Sequence, residues 1–148
     1  MRKATWVLAG LGALGLAGAG VAPALAQDEF AYIGTSLFGE NETGGGADEE
    51  ASGDFSAELN LTTGKMCYFL EVQNLEGFTA AHIHEGKKGA DGPPVVTLEL
   101  MGEDGDETCV DVDPELLKKI ARRNANYYVN VHTEAFPKGA IRGQLDES

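Results

Sequence analysis

Three histidines are the residues of this sequence whose types and spacing could do chemistry. His82 and His84 stand one residue apart in "TAAHIHEGKKGADGPP", and His132 follows almost fifty residues later in "YYVNVHT". In an extended strand, side chains at i and i+2 leave the same face, so His82 and His84 point together while Ala81 and Ile83 point the other way. Two imidazoles placed like this can share one metal ion, and a third from another strand would complete a three-nitrogen set. Nitrogen donors suit copper, zinc or nickel, and three of them leave a position open to water or substrate. A shared ion with metal–nitrogen bonds of about 2 Å needs the ring nitrogens to converge to within about 4 Å of one another. A His-x-His on a strand is also ordinary surface decoration, and the residues alone leave both readings open.

Alternation assigns the strands that must carry these side chains. In "YYVNVHT", Tyr127, Val129 and Val131 form the apolar set, and Tyr128, Asn130 and His132 the polar one. In "AIRGQL", Ile141 and Leu145 point in, while Arg142 and Gln144 point out. All three histidines and Arg142 are therefore expected on the outward faces of their strands. They share one surface patch if those strands are neighbours.

The remaining chain reads the same way. "FSAELNL" puts Phe55, Ala57, Leu59 and Leu61 on one face, and "MCYFLEV" follows across "TTGK", which reads as a hairpin. "YIGTSLFG", "VVTLEL" and "TCVDV" are further strand candidates. "DPELLKKIARRN" differs: Asp113 as cap, Pro114 at the first helical position and Leu116, Leu117 and Ile120 at helical spacing predict one short helix. Seven or eight short strands with regular turn signals predict an all-β, antiparallel Greek-key-like β-sandwich. The glycine-rich acidic stretch 39–54 is expected to be a mobile, solvated loop, because it lacks the spaced carboxylates of a calcium loop.

The first residues look like a leader: basic "MRK", an apolar small-residue run, then "ALA" before Gln27. Cleavage is expected after Ala26, and the alternative is an uncleaved anchor. Residues 27–148 would form a single domain in the periplasm or outside the cell. Without Arg2 and Lys3, nine basic residues face 24 acidic ones, a net charge of −15. Such a chain repels nucleic acid and anionic lipid, so neither is an expected partner after cleavage. Cys67 and Cys109 form an even pair in an exported chain, which reads as a disulfide. If so, no thiolate is left for a His₂Cys copper site. No nucleophile elbow, phosphate loop or H-E-x-x-H is present.

"TAAHIHEGKKGADGPPVVTLEL" together with "NYYVNVHTEAFPKGAIRGQL" resembles the CHRD domain, the module named for chordin, over roughly residues 30 to 146. That resemblance implies the fold and an exported setting rather than an activity. A weaker likeness joins "AAHIHEG" and "VNVHTEAFPKGAIRGQL" to the copper/zinc superoxide dismutases, which implies a β-sandwich or flattened barrel. It implies copper ligands at His82, His84 and His132 and an anion-guiding role for Arg142, with Lys138 nearby. No fourth histidine exists to bridge a second metal, so a zinc-containing bimetal centre is not expected. Three functions follow: a copper-binding module, a non-enzymatic structural or interaction domain whose histidines stabilise the fold, and a copper-only dismutase-like enzyme.

Overall fold

The computed structural model describes residues 29–99 and 106–147; the leader-like residues 1–26 lie outside them. In chain order the strands are β1 (Phe30–Phe38), β2 (Ser52–Asn60), β3 (Lys65–Gln73), β4 (Phe78–Glu85), β5 (Pro94–Leu98) and β6 (Thr108–Asp111). The helix α1 (Pro114–Arg122) follows, then β7 (Tyr127–Thr133), β8 (Ile141–Gln144) and the short β9 (Asp146–Glu147). Among the described residues no helix is long and apolar enough to cross a membrane.

The strands form one antiparallel sheet in the order β5-β4-β7-β8-β1-β2-β3-β6, with β9 added to β1. β7 returns beside β4, and β6 beside β3, which is the Greek-key crossing. The two layers of the expected sandwich are thus two halves of a nearly closed sheet. They join where Phe38 of β1 pairs with Arg142 of β8. At the opposite seam, between β5 and β6, the Tyr68 hydroxyl accepts from the Glu99 amide at 2.7 Å and donates to its carbonyl at 3.1 Å.

Alternation builds the core as expected. Phe55, Ala57 and Leu59 of β2 face Leu70, Tyr68 and Met66 of β3 across the ladder, and all six are buried. Ile33, Ile83, Val129, Val131, Ile141 and Leu145 join the same cluster. The helix closes one end with Leu117 and Ile120, both fully buried, and Asp113 caps it by accepting from the Glu115 amide. Cys67 and Cys109 face each other across β3 and β6 and form the disulfide.

Two expectations need correction. The polar face of β7 and β8 is not a surface: Tyr128, Asn130 and Arg142 are each at most 3% exposed. Two loops lie over it, one running from β4 to β5 and the other from β1 to β2. The second is the stretch expected to be mobile, and it is instead fastened to β8. Ala47 donates its amide to the Ala140 carbonyl at 2.8 Å, and the Asn41 side-chain amide donates to the Arg142 carbonyl at 3.0 Å. Glycine and acid content signalled a loop but not what it covers.

Candidate metal centre

β4 and β7 are direct antiparallel neighbours, and their register decides which side chains meet. Ala80 pairs with His132, His82 with Asn130, and His84 with Tyr128. Paired residues share a face, so His82, His84 and His132 stand on one side, with His132 diagonal to His82. Alanine opposite His132 leaves room for the rings to lean together. The ring centroids are 5.2 Å apart for His82 and His132, 5.4 Å for His82 and His84, and 6.2 Å for His84 and His132. One ring nitrogen from each lies within 4.8 Å of the others, a wider set than the separation of about 4 Å that a shared ion needs. Of the three rings, His84 and His132 are held by carbonyls, so His82 is the one whose broad χ2 well leaves it free to adjust.

Hydrogen bonds determine which nitrogens are free. His84 Nδ1 lies 2.8 Å from the Gly92 carbonyl, and His132 Nδ1 lies 3.2 Å from the Pro137 carbonyl. A carbonyl only accepts, so each Nδ1 carries the proton and donates, leaving Nε2 as a lone pair. The nitrogens that are buried without a partner among the described residues are Nδ1 of His82, Nε2 of His84 and Nε2 of His132. Buried polar atoms are rarely left unpaired, and an ion that accepts lone pairs is one partner that three nitrogens gathered in one cluster could share. Burial pushes the His82 and His132 imidazoles below their ordinary range, helped at His82 by His132 and His84 and at His132 by His84; the Pro137 carbonyl pulls His132 the other way. Low basicity keeps both lone pairs available to an ion. The donor set is all nitrogen, neutral and without carboxylate or thiolate, which fits copper better than magnesium or calcium.

Arg142 does not join the three histidines. It pairs with Asn130, which pairs with His82, so two inter-strand spacings, about 10 Å at the backbone, separate it from His82. Its guanidinium is closed over by the β4–β5 loop. Nη2 donates to the Ala90 carbonyl at 2.6 Å and to the Lys87 carbonyl at 3.3 Å, and Nη1 meets Asp91 at 3.2 Å. The surface role of guiding an anion, carried over from the dismutases, is therefore not the role its position supports. Lys138 remains exposed, next to the Pro137 carbonyl that holds His132.

Several participants carried no role in the sequence reading. Tyr128 was placed on the right face, but its ring stacks on His84 at 4.8 Å and 9° and has the Arg142 guanidinium 3.4 Å from its centroid. Gly92, whose carbonyl orients His84, admits no side chain, because a Cβ there would overlap the Glu85 carbonyl. Glu42 packs on Gly139, where a Cβ would overlap its carboxylate and where φ is +141°. Burial pushes the Glu42 carboxyl up to about 7 against the pull of Arg142 and an Asn130 hydrogen bond, with Asp91 adding to the rise. Only the turn chemistry of "GADGPP" hinted at Gly92; nothing in the acidic run marked Glu42 out from its neighbours.

No curated protein and no solved structure gives a significant match to this chain. The model of the CHRD domain matches residues 33–145, well over half of the sequence and all four strands around the histidines, β4, β5, β7 and β8. The chain belongs to the CHRD-domain family.

Proposed function

We propose that this chain is an exported copper-binding module that holds one ion through Nδ1 of His82 and Nε2 of His84 and His132. The observation carrying this reading is the set of three buried, unpartnered imidazole nitrogens on adjacent strands. Two of the rings donate their other nitrogen to a backbone carbonyl, the outer-shell arrangement that fixes tautomer and ring direction in metal-binding histidines. Copper would supply a Lewis-acidic, redox-active centre with an open position; the chain supplies a fixed, neutral, mostly covered donor set. The role this suits is holding or transferring copper. Export is supported by the leader-like first residues and by the Cys67–Cys109 disulfide, which persists in oxidising compartments.

The fold-stabilising reading has an observation of its own, because the same two imidazole–carbonyl bonds fasten loops to the sheet. The two readings part at His82, whose Nδ1 is unpartnered among the described residues. Titration of the metal-free protein with Cu(I) and Cu(II) against a competing chelator tests the first. One ion per chain is expected. His82→Ala and His132→Ala should each lower affinity more than about 100-fold, beyond the cost of an outer-shell change. Copper affinity unchanged in both variants removes the site.

A further inference from the structure

The β4–β5 loop ends on the carbonyl that orients His84, and one side chain grips that loop from beneath. We infer that Arg142 is a positioning residue for His84: it anchors the loop so that the Gly92 carbonyl captures the Nδ1 proton and Nε2 is left facing the other two histidines. This rests on the copper reading for its purpose, though not for its geometry.

Two routes connect Arg142 to His84. The first runs through the backbone. The guanidinium takes the Ala90 carbonyl at 2.6 Å and the Lys87 carbonyl at 3.3 Å, with the Asp91 carboxylate at 3.2 Å. Two residues beyond Ala90 is Gly92, whose carbonyl lies 2.8 Å from His84 Nδ1. The second runs through Tyr128. Its ring stacks on His84 and meets the guanidinium, and its hydroxyl accepts from the Gly92 amide at 3.2 Å. The opposite tautomer of His84 would aim a nitrogen lone pair at the Gly92 carbonyl oxygen, which is repulsive. While the loop is held, only the Nδ1–H form is allowed. A planar fork that binds several acceptors at once and lies flat on an aromatic ring is a property of arginine, and a lysine ammonium does not reproduce it. At 2% exposure, Arg142 is also too covered to be there for solvation.

The test uses the metal-free protein and ¹H–¹⁵N correlation of the imidazole nitrogens at neutral pH. In the unmodified chain His84 should show a protonated, slowly exchanging Nδ1 and an unprotonated Nε2. Arg142→Lys should mix the two tautomers, speed exchange of that proton and weaken copper binding about 10- to 100-fold, the range of outer-shell changes. Asp91→Ala, on the exposed side of the loop, should move the same signals in the same direction by less; it decides the matter should Arg142→Lys not fold. A His84 tautomer and exchange rate identical to those of the unmodified chain, in the folded variants, overturns the positioning role. An unmodified chain that takes up no copper, while Arg142→Lys still mixes the tautomers, overturns the copper reading and upholds the positioning role.

Discussion

The half of the sheet made of β1, β2, β3 and β6 and the half made of β5, β4, β7 and β8 solve different problems. In the first, two nine-residue strands alternate cleanly between buried and exposed residues, and the outer face meets water. Its edge is joined covalently by Cys67–Cys109. In the second, β7 is buried on both faces, and β4 shifts register against both of its neighbours, between Phe78 and Ala80 and between Ile83 and His84. Two loops cover what alternation alone would leave wet. A sheet face that is polar in composition yet roofed by loops is costly, because each buried polar group needs a partner. The proposed copper site lies in the second half, and the first half supports it.

The largest expected effect separates the halves most sharply. Replacing both cysteines by serine opens a link across 42 residues and should lower stability by about 4 kcal/mol in urea unfolding, while leaving copper affinity of the folded fraction unchanged. An equal loss of copper affinity would break the division. Gly92→Ala makes the converse change. Its Cβ meets the Glu85 carbonyl, so about 1–3 kcal/mol of stability should go, together with copper affinity, and the outer face of β1–β3 should keep its amide protection in hydrogen exchange.

A smaller effect comes from protons in the covered layer. The folded chain holds a proton on Glu42 that the unfolded chain releases, since its carboxyl titrates near 7 rather than 4.5. That contribution is full below 4.5 and is lost as the pH rises through 7. His82 and His132 run the other way: their lowered values mean a contribution present above the unfolded value of 6.5 and lost as the pH falls. Glu42→Gln removes the first slope alone. Metal-free Glu42→Gln should therefore lose less stability than the parent between about pH 5 and 7, by about 1 kcal/mol once solvent screening is discounted. Identical pH profiles would place Glu42 outside the buried network. The smallest effect belongs to the first half. Lys65 and Asp111 pair at 2.6 Å on the same β3–β6 ladder as the disulfide, with side chains 48% and 84% exposed. Lys65→Ala should change unfolding free energy by less than about 0.5 kcal/mol.

What the sequence made legible follows the same division. Phe55, Ala57 and Leu59 announced their strand because one face is wet, and a period of two is then written in the residues. The helix was legible from Asp113 and Pro114. Each histidine was legible as lying on the polar face of its own strand, since parity along a strand is local; that β4 and β7 are neighbours was not. The cover was not. That Arg142 is roofed depends on contacts with residues 87–91, more than fifty positions away, and no local periodicity records them. The placing of Glu42 against Asn130 and Arg142 is equally non-local. Tyr128 was assigned its face but not its stack, because ring orientation follows from the neighbouring strand rather than from its own.

The histidines of β4 and β7 are adjacent in space only because the intervening chain completes a crossing and comes back. Before β7 docks, the polypeptide offers two imidazoles and no third. Contacts this distant in sequence carry a loop-closure cost before they stabilise anything. The proposed ion site is therefore complete only once β7 has docked on β4, so the compartment in which the sheet closes would set which metal such a site first meets.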